Sequence, residues 1–218
     1  MNLIADKLTI DRGGRRVFQD LTFSVESGTA LVVTGANGIG KSSLLRTLAG
    51  LVALTSGTIR LDGADEDKPP HEFAHYFGHQ DAVKPALSVL ENLGFWQSFA
   101  APAEAESYLA QTMTPIGALD LLGIGHTAHL PTAYLSAGQK RRLSLARLLV
   151  TARPIWLMDE PTSALDKASE QQLLDLMDRH LAGGGLIVTA THTKLALART
   201  QALHLEAQPV AASIAEDD

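Results

Sequence analysis

An α/β core carrying a helical subdomain is the fold class that the sequence predicts, and three observations predict it. "LTFSVES" (residues 21–27) alternates apolar and polar side chains, the period of a half-buried strand. "ALVVTG" (residues 30–35) is a short β-branched run closing on glycine, and "SSLLRTLAGL" follows it with Leu44, Leu45 and Leu48 at helical spacing. "IWLMDE" and "LIVTAT" repeat the strand signal further along, with a helical segment between them. The order is mixed sheet, helical insert, then strand–helix–strand.

Each element follows from its residues. Residues 2–10, the 21–27 strand and "TIRL" form an N-terminal antiparallel β layer. The run at 30–35 is a buried strand, and its helix stops at Gly50. Residues from about 85 to 150 are helical in pattern, punctuated by Pro102, Pro115 and Pro131. A chain of 218 residues fits a single domain over 1–218, with the subdomain at 85–150 inserted in the α/β core.

Composition narrows the function. The formal net charge of −6 argues against wrapping nucleic acid, which needs clustered Lys and Arg. The absence of cysteine excludes disulfides and thiolate metal sites. No basic start followed by an apolar run marks a secretory signal, and no apolar stretch approaches the roughly 20 residues that span a bilayer. Membrane contact is therefore expected only through partners.

"GANGIGKSS" (residues 35–43) fits G-x-x-x-x-G-K-[ST] between a strand and a helix. Gly35, Gly38 and Gly40 let the backbone fold tightly around phosphate oxygens. Lys41 can neutralise β- and γ-phosphates, and Ser42 can ligate Mg²⁺. "IWLMDEP" ends an apolar strand in two carboxylates. Asp159 is placed to hold the Mg²⁺ shell, and Glu160 to polarise an attacking water. His192 in "TATHTK" and Gln80 in "GHQD" are unremarkable alone. His192 is a candidate donor to the γ-phosphate. Gln80 is a candidate contact to Mg²⁺ or water.

"LSAGQKRR" (residues 135–142) looks like a second phosphate loop. Ser136 is a good N-cap and Gly138 permits close backbone approach. The helix after it carries Leu143, Ala146 and Leu149 as a core stripe, leaving Arg141, Arg142 and Arg147 as a solvated face.

These segments together resemble an ATP-binding-cassette (ABC) ATPase over nearly the whole chain. The set is the 35–43 loop, Gln80, "LSAGQ", "WLMDEPTSALD" and His192, in that order. The resemblance implies a P-loop NTPase fold and a homodimer that sandwiches two ATP molecules with Mg²⁺. Gly35, Ala36, Asn37, Gly38, Ile39, Gly40, Lys41, Ser42 and Ser43 would contact ATP on one subunit. Ser136, Gly138 and Gln139 would contact the same ATP from the other. Glu160, His192 and Gln80 would serve hydrolysis, with Ser42, Gln80 and Asp159 around the metal. Residues 163–166 would cross the dimer.

"GHQDAVKPALSVLENL" (residues 78–93) and "LSAGQKRRLSLARL" also look like the ATP-binding subunit of the cytochrome c maturation exporter. That family implies a peripheral protein on the cytoplasmic face of the bacterial inner membrane. It would work under integral-membrane, haem-handling permease subunits and couple ATP hydrolysis to haem export or release of a haem-loaded chaperone. A cassette for a different exported solute is the nearest rival. DNA-repair and translation cassettes carry long inserts or a second cassette, which 218 residues do not accommodate.

Three positions depart from the cassette pattern. An aromatic that stacks on adenine would fall near Arg12 to Arg16, where "DRGGRR" has none. Phe18 is the nearest ring and reads equally as core, while an Arg guanidinium can stack instead. Ala137 replaces a glycine of the signature, and Thr193 follows His192 where the narrower family often has Gln.

Overall fold

The computed structural model describes residues 1–99, 112–163 and 165–206. The punctuation expected at Pro102, part of the 85–150 insert, residue 164 of the dimer-crossing loop and residues 207–218 of the domain lie outside them.

Strands β1 (Asn2–Arg12), β2 (Arg15–Glu26) and β4 (Ser56–Asp62) form an antiparallel sheet in the order β2-β1-β4. This is the expected N-terminal layer. β2 begins six residues earlier than the alternation at 21–27 indicates, because Arg15 pairs with Arg12 across a Gly13–Gly14 hairpin. A second, parallel sheet has the order β5-β6-β7-β3-β8. Its strands are β3 (Ala30–Thr34), β5 (Ala74–Phe77), β6 (Ile155–Asp159), β7 (Leu186–Ala190) and β8 (Thr200–His204). Parallel and antiparallel pairing are thus divided between two sheets.

Helix α1 (Lys41–Leu48) follows β3 and buries Leu44, Leu45 and Leu48, as their spacing predicts. Between β5 and β6 lie α2 (Val89–Phe99), α3 (Pro115–Leu121) and α4 (Ala137–Val150). Thr114 caps α3, with Pro115 in the first turn where its missing N–H costs nothing. Helix α5 (Lys167–Ala182) is capped by Asp166, whose carboxylate accepts from the Ser169 amide.

Two apolar cores result. One joins the antiparallel sheet and α1 to one face of the parallel sheet through Leu31, Val33, Ile155, Leu157, Leu186 and Val188. The other packs α2, α3, α4 and α5 on the opposite face through Ala30, Trp156, Met158 and Ile187. Alternate residues of β6 therefore enter opposite cores, as the period-2 geometry of a strand requires. All five residues of β6 are buried, and the strand delivers Asp159 and Glu160 at its C-terminal end.

Candidate functional site

The 35–43 loop runs from β3 into α1 through three glycines at positive φ, Gly38 at 77° among them. Gly35 has φ 141° and Gly40 φ 117°. A Cβ on Gly35 would come within 2.6 Å of the Leu205 carbonyl, and one on Gly40 would collide with Val17. Only glycine fits either position. No side chain caps α1, so its first-turn amides are left for an anion.

Lys41 is only 8% exposed. Its Nζ donates to the carbonyls of Gly35 at 2.8 Å and Ala36 at 3.1 Å, and lies 3.2 Å from His192 Nε2. Ser42 Oγ donates to Asp159 Oδ1 at 3.0 Å. His192 Nε2 is also 3.5 Å from Glu160 Oε1. The imidazole thus stands between the lysine and the second carboxylate. These groups share a cleft of about 720 Å³ with Asn37, Gly38, Ile39, Gly40 and Ser43. Its other wall is the β1–β2 hairpin, with Arg12, Arg15, Arg16 and Val17.

Glu160 is itself in the left-handed region, at φ 47°. For a residue with a Cβ this costs of order 1–3 kcal/mol, so its surroundings must hold it there. Its amide donates to the Ala190 carbonyl at 2.8 Å, and its carbonyl accepts from the Ser163 amide at 3.1 Å.

Among the described residues, no group of three or more His, Cys, Asp or Glu side chains could hold a metal ion. The Ser42–Asp159 pair suits Mg²⁺ in another way. That ion takes one or two protein oxygens and fills the rest of its shell with phosphate oxygens and water.

Ser136, Gly138 and Gln139 do not line this cleft. They open α4 in a capping box: Ser136 Oγ accepts from the Gln139 amide at 3.2 Å, and Gln139 Oε1 accepts from the Ser136 amide at 2.9 Å. Ser136 is exposed. Gln80 is also outside this cleft. It lines a groove of about 650 Å³ with Tyr76, His79, Trp96, Arg147 and Arg153.

The ABC transporter family pattern matches residues 18–163. Curated relatives named "Cytochrome c biogenesis ATP-binding export protein CcmA" match more of the chain. That of Nitrobacter winogradskyi is 52% identical over 91% of this chain and 95% of its own length. That of Bradyrhizobium diazoefficiens is 50% identical over 90% and 94%, and that of Chelativorans sp. 46% over 95% and 99%. The chain belongs to the CcmA family of ABC-transporter ATPases. Among solved structures, a putative ABC transporter ATP-binding protein from Pyrococcus furiosus superposes with a TM-score of 0.75 at 22% identity. It covers 93% of this chain and 98% of its own, and shares the fold.

The CcmA-family chain differs from its sequence reading at the arginines of α4. Arg141 and Arg147 do not form a solvated face; they are 6% and 8% exposed. α4 is covered nearly all round, so a single apolar stripe is too narrow a description. Arg147 donates to the Tyr76 carbonyl at 2.7 Å and packs over the Trp96 ring. Burial lowers its pKa to about 10, which leaves it charged at neutral pH. Ser144 Oγ donates to the Asp81 carbonyl at 2.6 Å. The spacing 141, 144, 147 is one helical face, a signal present in the sequence.

Tyr76 is a further residue that the motifs did not mark. Its hydroxyl lies 3.5 Å from Asp159 Oδ2 and accepts from Arg46 Nε at 3.4 Å. Burial raises its pKa, so it stays a neutral donor. Phe18 is core, 3% exposed, and does not line the cleft. At the hairpin, Arg16 is held by both oxygens of Asp11, at 2.8 and 3.1 Å. The Thr193 departure acquires a role too: its hydroxyl is 3.2 Å from that of Thr162, tying the His192 loop to the turn after Glu160.

Proposed function

We propose that this ATPase drives the haem-related exporter of c-type cytochrome biogenesis, coupling hydrolysis to haem export or to release of a haem-loaded chaperone. The observation that carries the hydrolytic part is the convergence of Lys41, Ser42–Asp159 and Glu160–His192 on one cleft. The haem-related part is supported by the relatives' shared name, which assigns them to cytochrome c biogenesis and export.

In this reading, ATP lies along the 35–43 loop, with its phosphates on the α1 amides and Lys41. Lys41 is pre-bound to two loop carbonyls, so phosphate oxygens complete a cation already held in place. Mg²⁺, held by Ser42 and Asp159 with Gln80 approaching, would neutralise charge that builds on the phosphates. Glu160 accepts the proton of the attacking water as the bond from the γ-phosphorus to ADP breaks. His192 orients Glu160 and donates toward the γ-phosphate.

The separation of Ser136 and Gly138 from the phosphate cleft supports a second role for the signature. Its exposed, capped helix N-terminus would close over ATP held by another copy of the chain. The Gln80 groove, with Trp96 on its wall, is the candidate seat for an integral-membrane permease subunit. Among the described residues no helix is long and apolar enough to cross a membrane, which suits attachment to the cytoplasmic face of the inner membrane through that partner.

The test is mild-detergent purification of the chain from its native membranes, with co-purifying proteins identified and the complex assayed for haem and ATPase activity. Recovery with integral-membrane haem-handling subunits is expected. Recovery with an unrelated permease would discard the haem reading and keep the ATPase. Recovery with no membrane protein would overturn the transporter assignment.

A further inference from the structure

Arg141 lies one turn into α4, yet its side chain reaches two segments that the nucleotide cleft depends on. One guanidinium nitrogen donates to the Gly78 carbonyl at 2.7 Å, just before Gln80. The other terminal nitrogen donates to the Glu160 carbonyl at 3.1 Å. The guanidinium lies over the Phe77 ring, 3.8 Å from its centroid, and Asp81 Oδ1 is 3.5 Å away. A charged group this buried needs such a set of acceptors to offset its lost hydration.

The Glu160 contact matters because of that residue's backbone. A left-handed φ is maintained when both flanking peptide planes are fixed. The Ala190 carbonyl fixes the plane before Glu160, while Arg141 and Ser163 fix the plane after it. Fixing both planes sets the direction of the Cα–Cβ bond, and so where the carboxylate starts from. The same guanidinium holds the Gly78 carbonyl, and Ser144 of the same helix holds the Asp81 carbonyl.

We propose that Arg141 is a positioning residue for hydrolysis: it ties the backbone of Glu160 and the residues on either side of Gln80 to the signature helix, so that the carboxylate moves with both. The inference rests on Glu160 being the general base. It accounts for arginine at this position, since a rigid planar fork bridges two carbonyls where an ammonium serves as a single point. It also assigns a route by which movement at the Gln80 groove or at Ser136 reaches the reacting water without touching nucleotide.

The experiment uses the chain as isolated from its native membranes, with Arg141→Gln and Arg141→Lys each made alone and in the Glu160→Gln background. Steady-state and single-turnover hydrolysis, equilibrium binding of a ribose-labelled fluorescent ATP, and melting temperature are measured. The expected result is a fall in kcat of about 10- to 100-fold for Arg141→Gln, the loss that follows from a missing charge-assisted hydrogen bond. Nucleotide affinity should change by less than about threefold, since no uniform binding contact is removed. Arg141→Lys should recover part of the rate. In the Glu160→Gln background either substitution should have little further effect, because the group that Arg141 places is gone. An equal fall in both backgrounds overturns the positioning role while leaving Glu160 as base. So does a loss of ATP affinity that tracks the loss of rate. Near-normal turnover of Glu160→Gln alone is a different failure, of the general-base reading itself. If Arg141→Gln does not fold, Arg141→Lys, which keeps a charge in the buried site, decides the same comparison.

Discussion

The Ser42 hydroxyl and the Asp159 carboxylate are joined by a 3.0 Å hydrogen bond across 117 residues of chain. The bond aligns the first turn of α1 with the C-terminal end of β6. It brings one neutral and one anionic oxygen to the edge of the phosphate cleft, a donor set that suits a hard divalent cation sharing its shell with phosphate. Ser42→Ala and Asp159→Asn should therefore raise the Mg²⁺ concentration needed for half-maximal ATPase activity. The rise should be about tenfold for the alanine and larger for the asparagine, which also removes charge. Titrating Mg²⁺ at saturating ATP checks this. An unchanged midpoint in both variants would remove the pair from the metal.

Glu160 and His192 make a second pair with a separable effect. Glu160→Gln should lower kcat by about 100- to 10,000-fold, the usual cost of losing a general base, with ATP still bound. His192→Ala removes the group between Lys41 and Glu160 and should lower kcat by less, since the carboxylate itself remains. Single-turnover hydrolysis beside nucleotide binding measures both. A loss of binding in Glu160→Gln would contradict the assignment.

Ser136 supplies a test of the dimer. A bulky residue such as Arg at this exposed position should block turnover and leave ATP binding to the monomer intact. Turnover of the unsubstituted chain should rise more steeply than linearly with protein concentration. Sedimentation with a slowly hydrolysed ATP analogue should give a dimer only for the unsubstituted chain. Loss of ATP binding in Ser136→Arg would mean that the signature acts within its own subunit.

Two buried histidines predict how stability responds to acid. Burial lowers the His75 pKa to about 3 and the His180 pKa to about 4, from an ordinary value of 6.5. Both are neutral in the fold, with His75 Nε2 against the Thr151 carbonyl at 2.6 Å and His180 stacked on Trp156 at 4.0 Å. The unfolded chain therefore binds protons first as the pH falls below 6.5, and stability drops until the folded pKa values are reached. Each histidine contributes about 1.4 kcal/mol per pH unit in that window, or about 2 kcal/mol between pH 6.5 and 5. Denaturant titrations across this range should show the slope. His180→Gln should reduce it by one proton, whatever that substitution does to stability at pH 7.

The candidate site is legible in the sequence because the chemistry proposed for it is local. A phosphate loop needs glycines, a lysine and a hydroxyl at fixed spacing, and the 35–43 segment has them. The strand that ends in Asp159 and Glu160 is equally plain, since all its residues are apolar until the carboxylates. What could not be read was the partner of each long side chain. Arg141 and Arg147 look like the polar side of a helix because charge usually seeks water. Here the carbonyls of Gly78, Glu160 and Tyr76 supply the acceptors instead, from segments 19 to 71 residues away. Tyr76 was hidden for the same reason. Four-residue β5 is too short to announce itself by alternation, and its tyrosine acquires meaning only beside Asp159.

The position of β6 carries one more consequence. Ile155 and Leu157 belong to one apolar core, Trp156 and Met158 to the other, and the strand ends at the two carboxylates. β6 is thus a party wall: neither side of the molecule can be repacked without leaning on it. A methylene lost beside α1 and one lost beneath α4 are remote from each other, yet both are felt at the same five residues. The carboxylate end of the wall is where the two disturbances meet, so mutations that never approach the nucleotide should slow the ATPase.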